Sequence, residues 1–204
     1  ALVCRDMKKT VDFYSGILGM PLVKTIELPQ NSGQHFFFDI GKGDQLAFFW
    51  FPDAPEKVPG VTNAESLVGH GSITSAHASM NHVAFDVPVE KIAEYQEKLV
   101  AAGVEVTPVI FHDDSENQAS LTDTDSTFVR SIYFQDPDGI LLEFAASTRA
   151  FNEDDVDCEP VSVDWTLPQQ PLILLLKLAT TVWSKKAKQG QNKGKKSWKE
   201  QKRQ

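Results

Sequence analysis

Asp136-Pro137-Asp138-Gly139 separates two runs of alternating residues, and it fixes this part of the chain as strand, tight turn, strand. Proline presets φ and glycine accepts φ > 0, which is what a tight reversal needs. After the turn, Ile140, Leu142 and Phe144 share one face of the strand and Glu143 takes the other. Before it, Ile132 and Phe134 share a face, opposed by Ser131, Tyr133 and Gln135. The hairpin therefore has an apolar side for a core and a second side carrying Tyr133 and Glu143. Asn81-His82-Val-Ala-Phe-Asp-Val87 is a further strand pattern, with Val83, Phe85 and Val87 on its apolar face and His82 on the other. Alone, His82 reads equally as a strand cap, and Glu143 as a solvated strand residue. On matching faces of two strands of one sheet, an imidazole and a carboxylate point to a metal site.

The chain also repeats itself. At an offset of 96, Phe37 falls on Tyr133, Phe38 on Phe134, Gly43 on Gly139 and Ala47 on Glu143. At an offset of 83, Ala1-Leu-Val falls on Ala84-Phe-Asp. Each opening leads into a helical pattern closed by a glycine: Met7 to Leu18 with Gly19, and Val89 to Ala102 with Gly103. Each half reads as strand, helix, strand, strand, strand.

Three segments carry a family resemblance: Asp12-Phe-Tyr-Ser-Gly-Ile-Leu-Gly-Met20, Asn81-His-Val-Ala-Phe85 and Tyr133-Phe-Gln-Asp-Pro-Asp-Gly-Ile-Leu-Leu-Glu-Phe144. Over residues 1 to about 147 the chain resembles the vicinal oxygen chelate superfamily, which includes glyoxalase I, extradiol dioxygenases, fosfomycin-resistance enzymes and bleomycin-binding proteins. The resemblance implies an α+β fold of two βαβββ modules, residues 1–52 and 79–147 joined by a linker 53–78. These would form an incomplete, U-shaped barrel around one divalent metal. It makes His82 and Glu143 the first-strand and last-strand ligands of the second module. The last-strand position of the first module falls on Ala47, which has no donor atom, and the first-strand position falls two residues before Ala1. A further His is expected there, so the chain reads as a fragment or a trimmed one.

Two His and one carboxylate would leave coordination positions open for substrate and O₂, as in non-haem Fe(II) enzymes. The resemblance thus implies an extradiol-type dioxygenase acting on a catechol-like or other vicinal-oxygen small molecule. Fe(II) is the expected metal, with Mn(II) or Zn(II) as alternatives. A glyoxalase-type isomerase or lyase, and a metal-free small-molecule-binding protein, are the competing readings. Tyr133 is either a hydrogen-bond donor to a substrate oxygen or an aromatic wall residue. His112, at the start of a polar loop running to about Thr127, is either an acid/base under a closing lid or a solvated loop histidine. His35, Phe37 and Phe49 are candidate substrate-binding residues, or ordinary strand and core residues.

Composition sets the remaining bounds. Residues 1–176 carry 10 Lys+Arg against 27 Asp+Glu, whereas residues 177–204 carry 10 against one. An acidic domain repels nucleic acid, so none is expected as its partner. The acidic, Pro-containing stretch 148–176 reads as an extension, and the basic stretch 177–204 as a disordered tail, with readthrough or a frame error as its simplest origin. Leu172-Ile-Leu-Leu-Leu176 is too short to span a bilayer, which takes ~20 apolar residues, so no membrane partner is expected. Two cysteines, Cys4 and Cys158, do not read as a disulfide framework, so a cytoplasmic setting is the expectation; a homodimer is what the family resemblance implies.

Overall fold

Residues 1–156 and 158–162 are described by the structure, a computed structural model, and they fall into two contact units. The first, residues 1–68 with 72–150, holds eight strands: β1 (Leu2–Val3), β2 (Leu22–Glu27), β3 (Gln34–Gly41), β4 (Asp44–Trp50), β5 (Val83–Asp86), β6 (Ile110–Asp113), β7 (Thr127–Gln135) and β8 (Leu141–Ser147). They form two open four-stranded sheets ordered β1-β4-β3-β2 and β5-β8-β7-β6. In each, the first strand lies parallel to the last and the other neighbours are antiparallel.

The internal repeat is a repeat of register. Leu2 pairs with Phe48 as Phe85 pairs with Phe144, and Phe37 pairs with Ala47 as Tyr133 pairs with Glu143. These pairs reproduce the offsets of 83 for the first strand and 96 for the hairpin. The alternation also sets the inside. Phe38, Phe48, Ile132, Phe134, Leu142 and Phe144 enter one hydrophobic core with residues of both helical segments.

Helix α1 (Met7–Val11) is capped by the Asp6 side chain, which accepts from the Lys9 amide. The uninterrupted α-helix expected to Leu18 does not form. Asp12–Ile17 is π-helical instead, with the Leu18 amide bonding the Phe13 carbonyl. The wider turn buries two consecutive aromatics. Phe13 meets Phe134 of β7, and Tyr14 meets Phe38 and Phe48 while donating its hydroxyl to Asp136. In the second half a 3₁₀ turn (Val89–Lys91) leads into α2 (Ile92–Ala101).

The Asp136–Gly139 turn is tied from several sides. Asp136 Oδ1 accepts from the Asp138 and Ile140 amides, and the Gly139 amide returns to the Asp136 carbonyl. Asp138 accepts from the Arg5 amide, and Asn63 donates to the Gly139 carbonyl. The segment between the two halves is therefore more than a connector. Ala64 and Leu67 pack on Tyr133 and Leu141, forming a second, small cluster on the side of the hairpin away from the main core. That side is part-apolar because Leu141 has the outward parity.

The second unit contains residues 69–71 and 151–204. Its described portion includes a 3₁₀ turn, Glu153–Asp155, closed by a reciprocal Asn152–Asp155 capping box. The Leu172–Leu176 run and the basic segment 177–204 lie outside the described residues. Among the described residues no helix is long and apolar enough to cross a membrane. Among the described residues no disulfide forms; Cys4 is buried and Cys158 is exposed.

Candidate functional site

His82 stands immediately before β5 and Glu143 lies in β8, and the parallel pairing of these strands brings them together. Ala84 is the residue opposite Glu143, so His82 is two residues back on the same face. His82 Nε2 lies 2.9 Å from Glu143 Oε2. Ser131 Oγ donates to the other carboxylate oxygen, Oε1, at 2.5 Å. Burial pushes the Glu143 carboxyl upward, but hydrogen bonds from His82, Ser131 and Tyr133 outweigh it and hold the group below the ordinary carboxylate range. The His82 side chain is 35% exposed and that of Glu143 9%, so the pair opens to solvent on its imidazole side.

Tyr133 is the direct cross-strand partner of Glu143. Burial, then the facing Glu143 charge, pushes its hydroxyl well above the ordinary tyrosine range, which keeps it a neutral phenol. That hydroxyl lies 3.1 Å from His112 Nε2. His112 is not at the head of a loop as expected; it belongs to β6, opposite Val129. The polar stretch begins one residue after β6, at Asp114, and Asp113 is buried and bonded to Ser115.

His35, Phe37 and Phe49 form a separate aromatic cluster on the first sheet. The His35 ring stacks on Phe49 at 3.6 Å between centroids and lies 4.2 Å from Phe37. Burial holds its pKa below the ordinary histidine range, and among the described residues its buried Nε2 meets no hydrogen-bond partner. Ala47, opposite Phe37, is buried. The structure thus joins His82, Glu143, Tyr133 and His112 in one chain of contacts, and gathers His35, Phe37 and Phe49 in another.

Could the first group hold a divalent metal? An imidazole nitrogen and a carboxylate oxygen converge on one point, a donor set suited to Zn(II), Mn(II) or Fe(II). They fit two positions of a coordination sphere. Among the described residues no group of three His, Cys, Asp or Glu converges.

The family model of the Glyoxalase/Bleomycin resistance protein/Dioxygenase superfamily matches residues 1–144. The chain belongs to this superfamily. Among solved structures, this superfamily member is similar in fold to SMU.1112c, at 20% identity over 70% of this chain and 92% of that one, with a TM-score of 0.50. It is similar also to a glyoxylase/bleomycin resistance protein/dioxygenase domain from Frankia sp. EAN1pec, at 16% identity, 72% and 92% coverage and a TM-score of 0.51. A fosfomycin resistance protein, FosX, from Listeria monocytogenes matches at 23% identity, 72% and 88% coverage and a TM-score of 0.45.

Two residues at the site escape sequence reasoning. Ser131 shares its strand face with Tyr133, but a serine on a strand carries no signal of the carboxylate it will meet. Asn81 precedes His82 and bonds its Nδ1 at 2.9 Å, and only the adjacent position hints at that.

Proposed function

We propose that this superfamily member is a divalent-metal enzyme acting on a small molecule with two neighbouring oxygens, an extradiol-type dioxygenase that opens a catechol-like ring. The observation that supports it is the convergence of His82 Nε2 and Glu143 Oε2, 2.9 Å apart, beside the neutral Tyr133 hydroxyl. In this reading His82 and Glu143 hold the metal, Fe(II) with Mn(II) or Zn(II) as alternatives. When bound it supplies Lewis-acid polarisation of the two substrate oxygens. Tyr133 donates a hydrogen bond to one of those oxygens. His112, in contact with the Tyr133 hydroxyl, takes up or returns the proton. His35, Phe37 and Phe49 supply a flat aromatic surface for the substrate. The reading expects a cytoplasmic homodimer.

A second reading, a protein that binds an aromatic small molecule without metal, is favoured by the convergence of only two donor residues among those described. The decisive experiment loads the chain anaerobically with Fe(II), measures metal content, then adds catechol and O₂. The dioxygenase reading expects one metal per chain, oxygen uptake with catechol, and loss of both in Glu143→Ala. Turnover with Mn(II) or Zn(II) without oxygen would replace it with an isomerase or lyase. Ligand binding equally strong in EDTA, without oxygen uptake, would leave the metal-free reading.

A further inference from the structure

The Asn81 carboxamide is pinned from its donor side. Its Nδ2 lies 2.5 Å from the Ile73 carbonyl oxygen and 3.2 Å from Ser75 Oγ. Turned over, the amide would set its own oxygen against the Ile73 carbonyl, two acceptors with no proton between them. Oδ1 therefore faces His82 Nδ1, and an amide oxygen only accepts. The proton between them resides on Nδ1. Whenever the imidazole is neutral, Nε2 then carries the free electron pair, and Nε2 is the atom aimed at Glu143 Oε2. The carboxylate is oriented in the same manner, because the Ser131 hydroxyl occupies Oε1 and leaves Oε2 for the shared point.

We propose that Asn81 is a positioning residue, locked by the 73–75 stretch between the two halves of the chain, that fixes His82 as its Nδ1–H tautomer and directs Nε2 toward the point it shares with Glu143. With Nδ1 protonated, the 2.9 Å contact of Nε2 with Glu143 Oε2 is made either by a second ring proton donated to the carboxylate or by a metal ion that both atoms ligate. The segment linking the modules thereby becomes part of the site. Without Asn81 the ring is free to turn over and to offer either nitrogen. Its consequence for metal affinity rests on the reading proposed above, whereas the tautomer itself does not.

The test separates the two. Long-range ¹H–¹⁵N spectra of the metal-free ¹⁵N-labelled chain report which nitrogen of His82 is protonated and whether that proton exchanges slowly. The wild type is expected to show a slowly exchanging Nδ1 proton. Asn81→Ala is expected to lose it. Asn81→Asp keeps an acceptor for Nδ1–H but must turn its second oxygen away from the Ile73 carbonyl, and is expected to retain the proton; a purely structural role as a bridge to Ile73 predicts loss in both variants. Zn(II) titration is the second readout, with affinity expected to fall about 10–100-fold in Asn81→Ala, the usual effect of removing the partner that orients a ligating histidine. A slowly exchanging Nδ1 proton surviving in Asn81→Ala, or a wild-type His82 protonated on Nε2 alone, overturns the positioning role. A wild type that shows the Nδ1 proton but binds no Zn(II) removes the metal reading and leaves the positioning role standing.

Discussion

Glu143 is a nearly buried carboxylate held charged by its neighbours, and the neighbour most exclusively devoted to it is Ser131. The serine is fully buried and donates to Oε1. Ser131→Ala would remove that donor from a desolvated carboxylate, at a cost of about 1–3 kcal/mol at neutral pH. The Glu143 carboxyl would also titrate at a higher pH than in the wild type. Because the folded-state pKa of Glu143 is depressed, its contribution to stability is present above the unfolded-state pKa and is lost as pH falls through the folded one. Ser131→Ala is therefore expected to narrow the stability difference between pH 7 and pH 3, which urea unfolding at the two pH values would read. An equal loss at both would mean that Ser131 matters through packing alone. The juxtaposition of His82 with Glu143 was legible in the sequence because strand parity places each on a face and the repeat supplies the register. Ser131 and Asn81 were not, because what they do depends on which atoms they meet across strands and loops.

Strands β3, β4, β7 and β8 announce themselves by alternation and by their turns, and their pairing follows from the repeat. Strand β6 does not. It is four residues at a sheet edge, ending in His112 and Asp113, and a short polar edge strand looks like loop in sequence. The π-helical continuation of α1 is likewise invisible to periodicity, which registers a helix and not its hydrogen-bond step. A glycine at the β2–β3 connection shows how much tertiary contact adds. Gly33 has φ +149°, and a Cβ there would lie 2.1 Å from the Trp50 carbonyl oxygen, which is backbone and cannot swing aside. Gly43, at the β3–β4 turn, has φ +88° and open space around it. Gly43→Ala is expected to cost only the left-handed backbone, about 1–2 kcal/mol. Gly33→Ala adds the clash to a strained backbone and is expected to cost at least about 3 kcal/mol. Chemical denaturation of the two variants side by side checks this, and equal costs would mean that β3 moves away from Trp50 without penalty.

The two halves of the molecule meet at a buried acid. Asp136 opens the turn of the second half, and its Oδ2 accepts from Tyr14 in the π-helix of the first. Burial raises its pKa to about 6, against the opposing pull of the Ile140 and Asp138 amides and the Tyr14 hydroxyl. A folded-state pKa above the unfolded value means that the folded protein binds the extra proton. The resulting stability is complete below the unfolded-state value of 3.8 and is lost as pH rises through about 6. A rise of that size corresponds to about 3 kcal/mol at most. Glu143 acts in the opposite direction at acid pH, so the pair favours a stability maximum in weakly acidic solution. Asp136→Asn isolates the first effect. The amide oxygen can still accept from the two turn amides and its NH₂ can donate to the Tyr14 oxygen, so the geometry survives while the ionisation does not. The variant is therefore expected to gain on the wild type as pH rises from 5 to 8, with urea midpoints diverging in its favour. A constant difference between the two proteins across that range would show that Asp136 stays ionised in the folded state, and that the contact between the halves is a charged hydrogen bond throughout.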